Sequence, residues 1–177
     1  MTKFLIIISI TLCLTSCGQT KSDDNNKQVN LKTLSIDNSI IAILPYDKTQ
    51  HWVFKDYKEA TLTKKEIEVI ENILTKCINE YNPEQERQFK EINSKHPDYK
   101  LDKNNFIIDL KRYKRQYIAA TNSKGEKEVW INCFCDTWNK NWKTELIMVN
   151  DGGNCYFNLK INLTTEKYYD LMVNGES

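Results

Sequence analysis

Residues 154–163 constrain the fold more than any other stretch of the chain. Cys155, Phe157, Leu159, Ile161 and Leu163 alternate with Asn154, Tyr156, Asn158, Lys160 and Asn162. In an extended strand, successive side chains point to opposite faces, so one face here is wholly apolar and the other largely polar. A strand of that kind belongs to an antiparallel sheet with one dry side.

The dry side needs a cover, and the strongest helix signal supplies one. Thr63 and Glu66 fit a capping box, in which the hydroxyl and the carboxylate satisfy backbone N–H groups left free by the first turn. Ile67, Ile70, Leu74, Cys77, Ile78 and Tyr81 then recur on one face at helical spacing. Asn82-Pro83 is expected to end this helix, because the residue before proline is pushed out of the helical region. Residues 84–92 form either a short second helix or an exposed excursion.

Strands are expected at 40–44, 52–54, 106–119, 128–135, 145–149, 154–163 and 168–173, with turns at Ser123-Lys124-Gly125 and Asn150-Asp151-Gly152-Gly153. The resulting expectation is an α+β domain: one long amphipathic helix packed across an antiparallel, mostly meander sheet of four to six strands. One helix followed by four or five strands resembles the cystatin-like arrangement. That resemblance implies a fold and carries no activity with it.

The N-terminus reads as a secretory leader, with Lys3 ahead of an apolar run from Phe4 to Leu14 that is too short to span a bilayer. Leu14-Thr15-Ser16-Cys17 resembles the lipobox of bacterial lipoproteins. The resemblance implies removal of residues 1–16 and acylation of Cys17 with palmitate-type chains, each buried methylene adding about 0.8 kcal/mol of membrane retention. Residues 18–28 contain no large apolar side chain, so 17–30 read as a disordered tether, leaving 31–177 as a single α+β domain. Gly18 follows Cys17 where an aspartate is associated with inner-membrane retention. The expected location is therefore the cell envelope, lipid-anchored, at the outer membrane, on either its periplasmic or its surface side.

With 25 basic and 24 acidic residues, and Lys3 lost with the leader, the mature chain is electrically balanced. That balance argues against a nucleic-acid partner. No Ser/His/Asp arrangement, phosphate loop or zinc-helix motif occurs, and no cofactor is expected.

Cys77, Cys133, Cys135 and Cys155 all fall on predicted inward faces. In an oxidising envelope they point to disulfides before metal. Cys-x-Cys is tighter than usual zinc-ligand spacing, His51 and His96 sit in polar loops, and no metal ligand set is assigned. Cys133 and Cys135 are near the limit of roughly 7 Å for bridging. A simple meander puts Cys155 about 15 Å from Cys133. Either the strand order is not a simple meander, or Cys155 is a free thiol and Cys77 pairs with Cys133 or Cys135; the second is favoured.

Two stretches are candidates for binding. Tyr113 and Arg115 lie in a run of alternating basic and aromatic residues, which reads as an edge strand or as a surface for an anionic polymer. Trp138 and Trp142 stand in a polar loop, either folded back onto the sheet or presented to a partner. The expected function is a non-enzymatic binding or accessory role in the envelope, through the sheet's outer face and the tryptophan loop, with an envelope protein or anionic polymer as partner. The alternative is a thiol- or metal-dependent envelope enzyme centred on Cys133 and Cys135.

Overall fold

A computed structural model describes residues 37 and 39–175. The expected leader (1–16), the expected acylation site at Cys17 and the expected tether (17–30) lie outside the described residues. Among the described residues, no helix is long and apolar enough to cross a membrane.

The described residues are α+β, with one long helix and a mixed, open sheet of six strands. Strands β3 (Lys114–Thr121), β4 (Lys127–Phe134), β5 (Tyr156–Asn162) and β6 (Lys167–Val173) form an antiparallel meander. On the other edge of β3 sit β1 (Ile41–Leu44), opposite Arg115 to Ile118, and the two-residue β2 (Lys58–Glu59), opposite Ala120 and Thr121. The expectation of a purely antiparallel sheet fails at β1, which runs parallel to β3 with Ile41 opposite Arg115 and Leu44 opposite Ile118. The helix lies between these strands in the chain, and a long helical crossover is what lets neighbouring strands run the same way.

The turn at Gly125 forms as expected. Its φ of 80° is in the left-handed region, and Asn122 Oδ1 accepts from the N–H groups of Lys124 and Glu126 at 2.9 and 3.0 Å.

Helix α1 spans Lys64–Lys95, and its capping box is in place: Thr63 N–H donates to Glu66 Oε2 at 2.8 Å and Glu66 N–H donates to Thr63 Oγ1 at 3.3 Å. Contrary to expectation, the helix runs through Pro83 without stopping. The Asn82 side chain braces this turn: its Nδ2 donates to the Ile108 carbonyl at 2.8 Å and its Oδ1 accepts the Ile108 N–H at 2.9 Å, tying the turn before proline to the chain that follows the helix. Beyond Pro83, pairs such as Arg87 with Glu84 (2.5 Å) and Lys95 with Glu91 (2.7 Å) lace the exposed turns. In open solvent such pairs add little to stability.

The face of α1 formed by Ile67, Ile70, Ile73, Leu74, Cys77 and Ile78 is buried against Val129, Ile131, Cys133, Phe157, Leu159 and Ile161 of β4 and β5. The sheet's opposite face is buried as well. Excursion 45–57 brings Tyr46, Val53 and Phe54 onto Ile118, Ala120 and Trp130, and excursion 136–152 brings Trp142 and Ile147 onto Ala42 and Phe134. The predicted strands at 52–54 and 145–149 are parts of these covering excursions and join no ladder. Likewise, residues 106–113 are irregular, with one 3₁₀ turn at Leu110–Arg112, rather than the start of β3.

Two buried amides take the place of a ladder for 142–147. Gln116 on β3 and Asn132 on β4 are register partners. Gln116 Nε2 donates to the carbonyls of Trp142 (2.5 Å) and Glu145 (2.7 Å), while its Oε1 accepts the Ile147 N–H at 3.0 Å and Asn132 Nδ2–H at 3.1 Å. Asn132 Nδ2 also donates to the Ile147 carbonyl at 2.7 Å. Side chains thus satisfy backbone groups that a strand neighbour otherwise satisfies.

Candidate functional site

Of the two tryptophans in the 136–142 loop, only one faces solvent. Trp138 is 79% exposed, whereas Trp142 is 7% exposed, edge-on to Phe134 with ring centres 5.8 Å apart and with the Lys114 ammonium 5.1 Å from its own. Trp142 is therefore a packing residue, and its assignment as a presented binding residue is corrected.

Tyr113 and Arg115 are likewise corrected. They are 2% and 4% exposed, because alternate positions 113, 115, 117 and 119 all turn toward α1. β3 is also an inner strand rather than an edge. Arg115 Nε lies 3.1 Å from Glu71 Oε1 of the helix, Nη1 donates to the Tyr113 carbonyl at 2.9 Å, and Nη2 donates to that of Leu110 at 3.2 Å. Tyr117, fully buried, donates its hydroxyl to the same Glu71 oxygen. Burial pushes the Tyr113 hydroxyl up to about 12, and it donates to the Asn154 carbonyl at 2.7 Å. This charge pair is internal structure, since a buried cation requires partners on every side.

The cysteine pairing also differs from the favoured one. Cys135 and Cys155 form the disulfide, with Cα atoms 4.9 Å apart, and Cys77 and Cys133 are buried free thiols. The expected meander placed a strand at 145–149 between β4 and β5. With that segment lifted off the sheet, β5 pairs directly with β4, Phe134 falls opposite Tyr156, and Cys135 N–H donates to the Cys155 carbonyl at 2.9 Å. The two cysteines are simply the next pair beyond the ladder's end, within bridging distance.

The same geometry bears on the thiol-enzyme alternative. Cys135 is committed to the disulfide, and Cys133 has no exposed surface. Burial pushes the Cys133 thiol far up and the Cys77 thiol to about 11, the Glu80 carboxylate adding to the latter. A nucleophilic cysteine needs the opposite shift and access to solvent. Among the described residues, no three His, Cys, Asp or Glu side chains gather as a metal ligand set.

What the covering excursions leave open is a groove of about 330 Å³ on the sheet face opposite α1. Its floor is Trp130, Asn158 and Lys160 of β4 and β5, and its rim carries Trp52, Met148 and Met172, which are 47%, 55% and 63% exposed. Trp52 stands edge-on to Trp130 with ring centres 5.4 Å apart. Trp130 Nε1 donates to Asn158 Oδ1 at 3.2 Å, and the Lys160 ammonium lies 3.3 Å from Asp170 Oδ2.

The wall at 147–149 is held from beneath by the Gln116 and Asn132 amides, and Asn174 Nδ2 donates to the Val149 carbonyl at 2.7 Å. The groove is thus a preformed, largely apolar surface with a few fixed polar groups, the usual composition of a binding site. Trp52, Trp130, Met148 and Met172 were not singled out from the sequence. One signal for them was present: Met172 is a large apolar residue on the solvent side of its strand.

No protein-family model, curated protein or solved structure matches the chain.

Proposed function

We propose that the chain is a cell-envelope lipoprotein, held at the outer membrane by acyl chains on Cys17, whose α+β domain is a non-enzymatic binding module for another envelope component. The observation that carries the binding role is the groove over β4 and β5. Three large apolar side chains stand exposed around it, and its wall is fixed in place before any ligand arrives. Exposed apolar surface on a rigid frame marks a contact site, because a solvated face has no need to hold methionine and tryptophan in water.

Trp138, beyond the groove in the same excursion, is available to extend the contact, while Trp142 anchors that excursion to the sheet.

The binding role is tested by cross-linking the full chain in intact cells and comparing it with Met148→Ser/Met172→Ser and Trp52→Ala variants. The expected result is loss of a discrete cross-linked species with the groove variants and its retention with Lys111→Gln, a control outside the groove. Equal capture by all variants overturns the assignment. For the anchor, labelled palmitate is expected to enter the wild type and not Cys17→Ala.

A further inference from the structure

A second recess, of about 410 Å³, lies in the excursion between β1 and β2 and does not share a lining residue with the groove. Its floor is aromatic and its rim is cationic. Tyr46 and Tyr57 form the floor. Tyr46 donates to the Phe54 carbonyl at 3.0 Å, and burial, with the Glu128 carboxylate adding to it, raises the Tyr57 hydroxyl, so it stays neutral. The Tyr57 ring stacks on Phe54 with centres 4.8 Å apart, which makes the floor rigid.

Around it stand Lys48, Lys55, Lys58 and His51, with Asp56 as the one acid in the lining. Elsewhere Lys127 and Lys103 reach a carboxylate at 2.6 and 2.8 Å. The three lysines of the recess have no ion-pair partner among the described residues. The His51 ring is held by Nδ1, 3.2 Å from the Thr49 carbonyl, which leaves Nε2 as its free nitrogen.

Three unneutralised ammonium groups around one concavity produce a local positive potential in a chain that is electrically balanced overall. The chemistry of these donors narrows the ligand. No arginine lines the recess, so its cationic donors are separate point charges and not a flat two-pronged fork, which suits carboxylate and phosphate alike. Lysine ammonium groups are point charges that approach a tetrahedral oxyanion from several sides. The volume exceeds that of one phosphate and leaves space for a second charged group. We propose that Lys48, His51, Lys55 and Lys58, over the floor of Tyr46 and Tyr57, bind a ligand carrying more than one phosphate charge.

The site does not depend on the groove or on the lipid anchor. A phosphate of this kind reaches the recess either on a soluble molecule or as a phospholipid headgroup, and the two sources are separated by experiment.

The test uses the full chain with Cys17→Ser, so that no acyl chain can insert. Inorganic tripolyphosphate is titrated calorimetrically in low salt. Separately, co-sedimentation is measured with phosphatidylcholine vesicles with and without cardiolipin, whose headgroup carries two phosphates. Lys48→Gln/Lys55→Gln/Lys58→Gln is compared with Lys111→Gln/Lys124→Gln/Lys140→Gln, whose lysines are also exposed but lie outside the recess.

Each recess substitution is expected to weaken binding about fivefold, and the triple variant by more than about fiftyfold, while the control triple changes it less than about threefold. Binding of tripolyphosphate assigns a soluble ligand, and binding of the anionic vesicles alone assigns a headgroup. Response to neither probe, equal loss in the control triple, or binding of citrate as tight as tripolyphosphate overturns the proposal. Thermal unfolding of both triples is recorded so that loss of binding is not confused with loss of fold.

Discussion

Replacing Gln116 with leucine removes the amide that holds 142–147 against the sheet while leaving a side chain of similar bulk. Four hydrogen bonds disappear together. Asn132 keeps its bond to the Ile147 carbonyl, so the groups stranded under cover are the Trp142 carbonyl and the Ile147 N–H, with the Glu145 carbonyl half-buried. An unsatisfied buried backbone group costs about 1–3 kcal/mol, which sets the loss at about 2–6 kcal/mol, with about 4 kcal/mol as the central expectation. That is a large part of the roughly 5–15 kcal/mol by which such a domain is stable. It corresponds to a fall in Tm of about 8–16 °C.

Equilibrium unfolding in urea gives the free energy, and hydrogen exchange of the peptide covering 142–149 shows where it is lost. Exchange there is expected to accelerate while α1 remains protected, because the segment can lift away without opening the helix-covered core. A loss below about 1 kcal/mol with unchanged exchange at 142–149 refutes the reasoning that these amides replace a ladder.

Reducing the Cys135–Cys155 bridge, or replacing both cysteines with alanine, is expected to cost about 3 kcal/mol, since the bridge closes a loop with a sequence separation of 20; urea midpoints with and without reductant measure it. Trp142→Ala is expected to destabilise by about 3–5 kcal/mol through the cavity left beside Phe134. Trp138→Ala is expected to change stability by less than about 0.5 kcal/mol, both read by thermal unfolding. The Cys77 thiol, raised from 9.0 to about 11, stays protonated in the folded chain where the unfolded chain ionises. The folded state then holds more protons, so stability is expected to decline as pH rises from 9 to about 11. Cys77→Val is expected to remove part of that slope in urea titrations across the same range.

Elements whose information is local were legible in the sequence. The alternation through 156–162 and the Thr63 and Glu66 cap each specify a structure by chemistry confined to a few residues, and β5 and the start of α1 follow them. The end of α1 was not legible, because the helix continues through Pro83 in a tertiary setting that includes bonds from Asn82 to Ile108, far along the chain. The covering excursions were hidden for a related reason. Residues 145–149 have the apolar content of a strand and are buried like one, but Gln116 and Asn132 supply their partners. The cysteine pairing was lost with that one segment, since inserting a false strand moved Cys155 two spacings away from Cys135. At the candidate site, exposed side chains of the rim come from three separate stretches, and Trp52, Met148 and Met172 meet only once the sheet exists.

The disulfide at the base of the 136–152 excursion also governs what happens when the chain is cut. Every peptide bond between Cys135 and Cys155, including those beside exposed Trp138 and Lys140, lies inside a covalent ring. A protease that clips this loop therefore opens the ring without dividing the molecule. The helix, β3 and β4 stay joined to β5 and β6, and the nicked form separates into two pieces only after reduction.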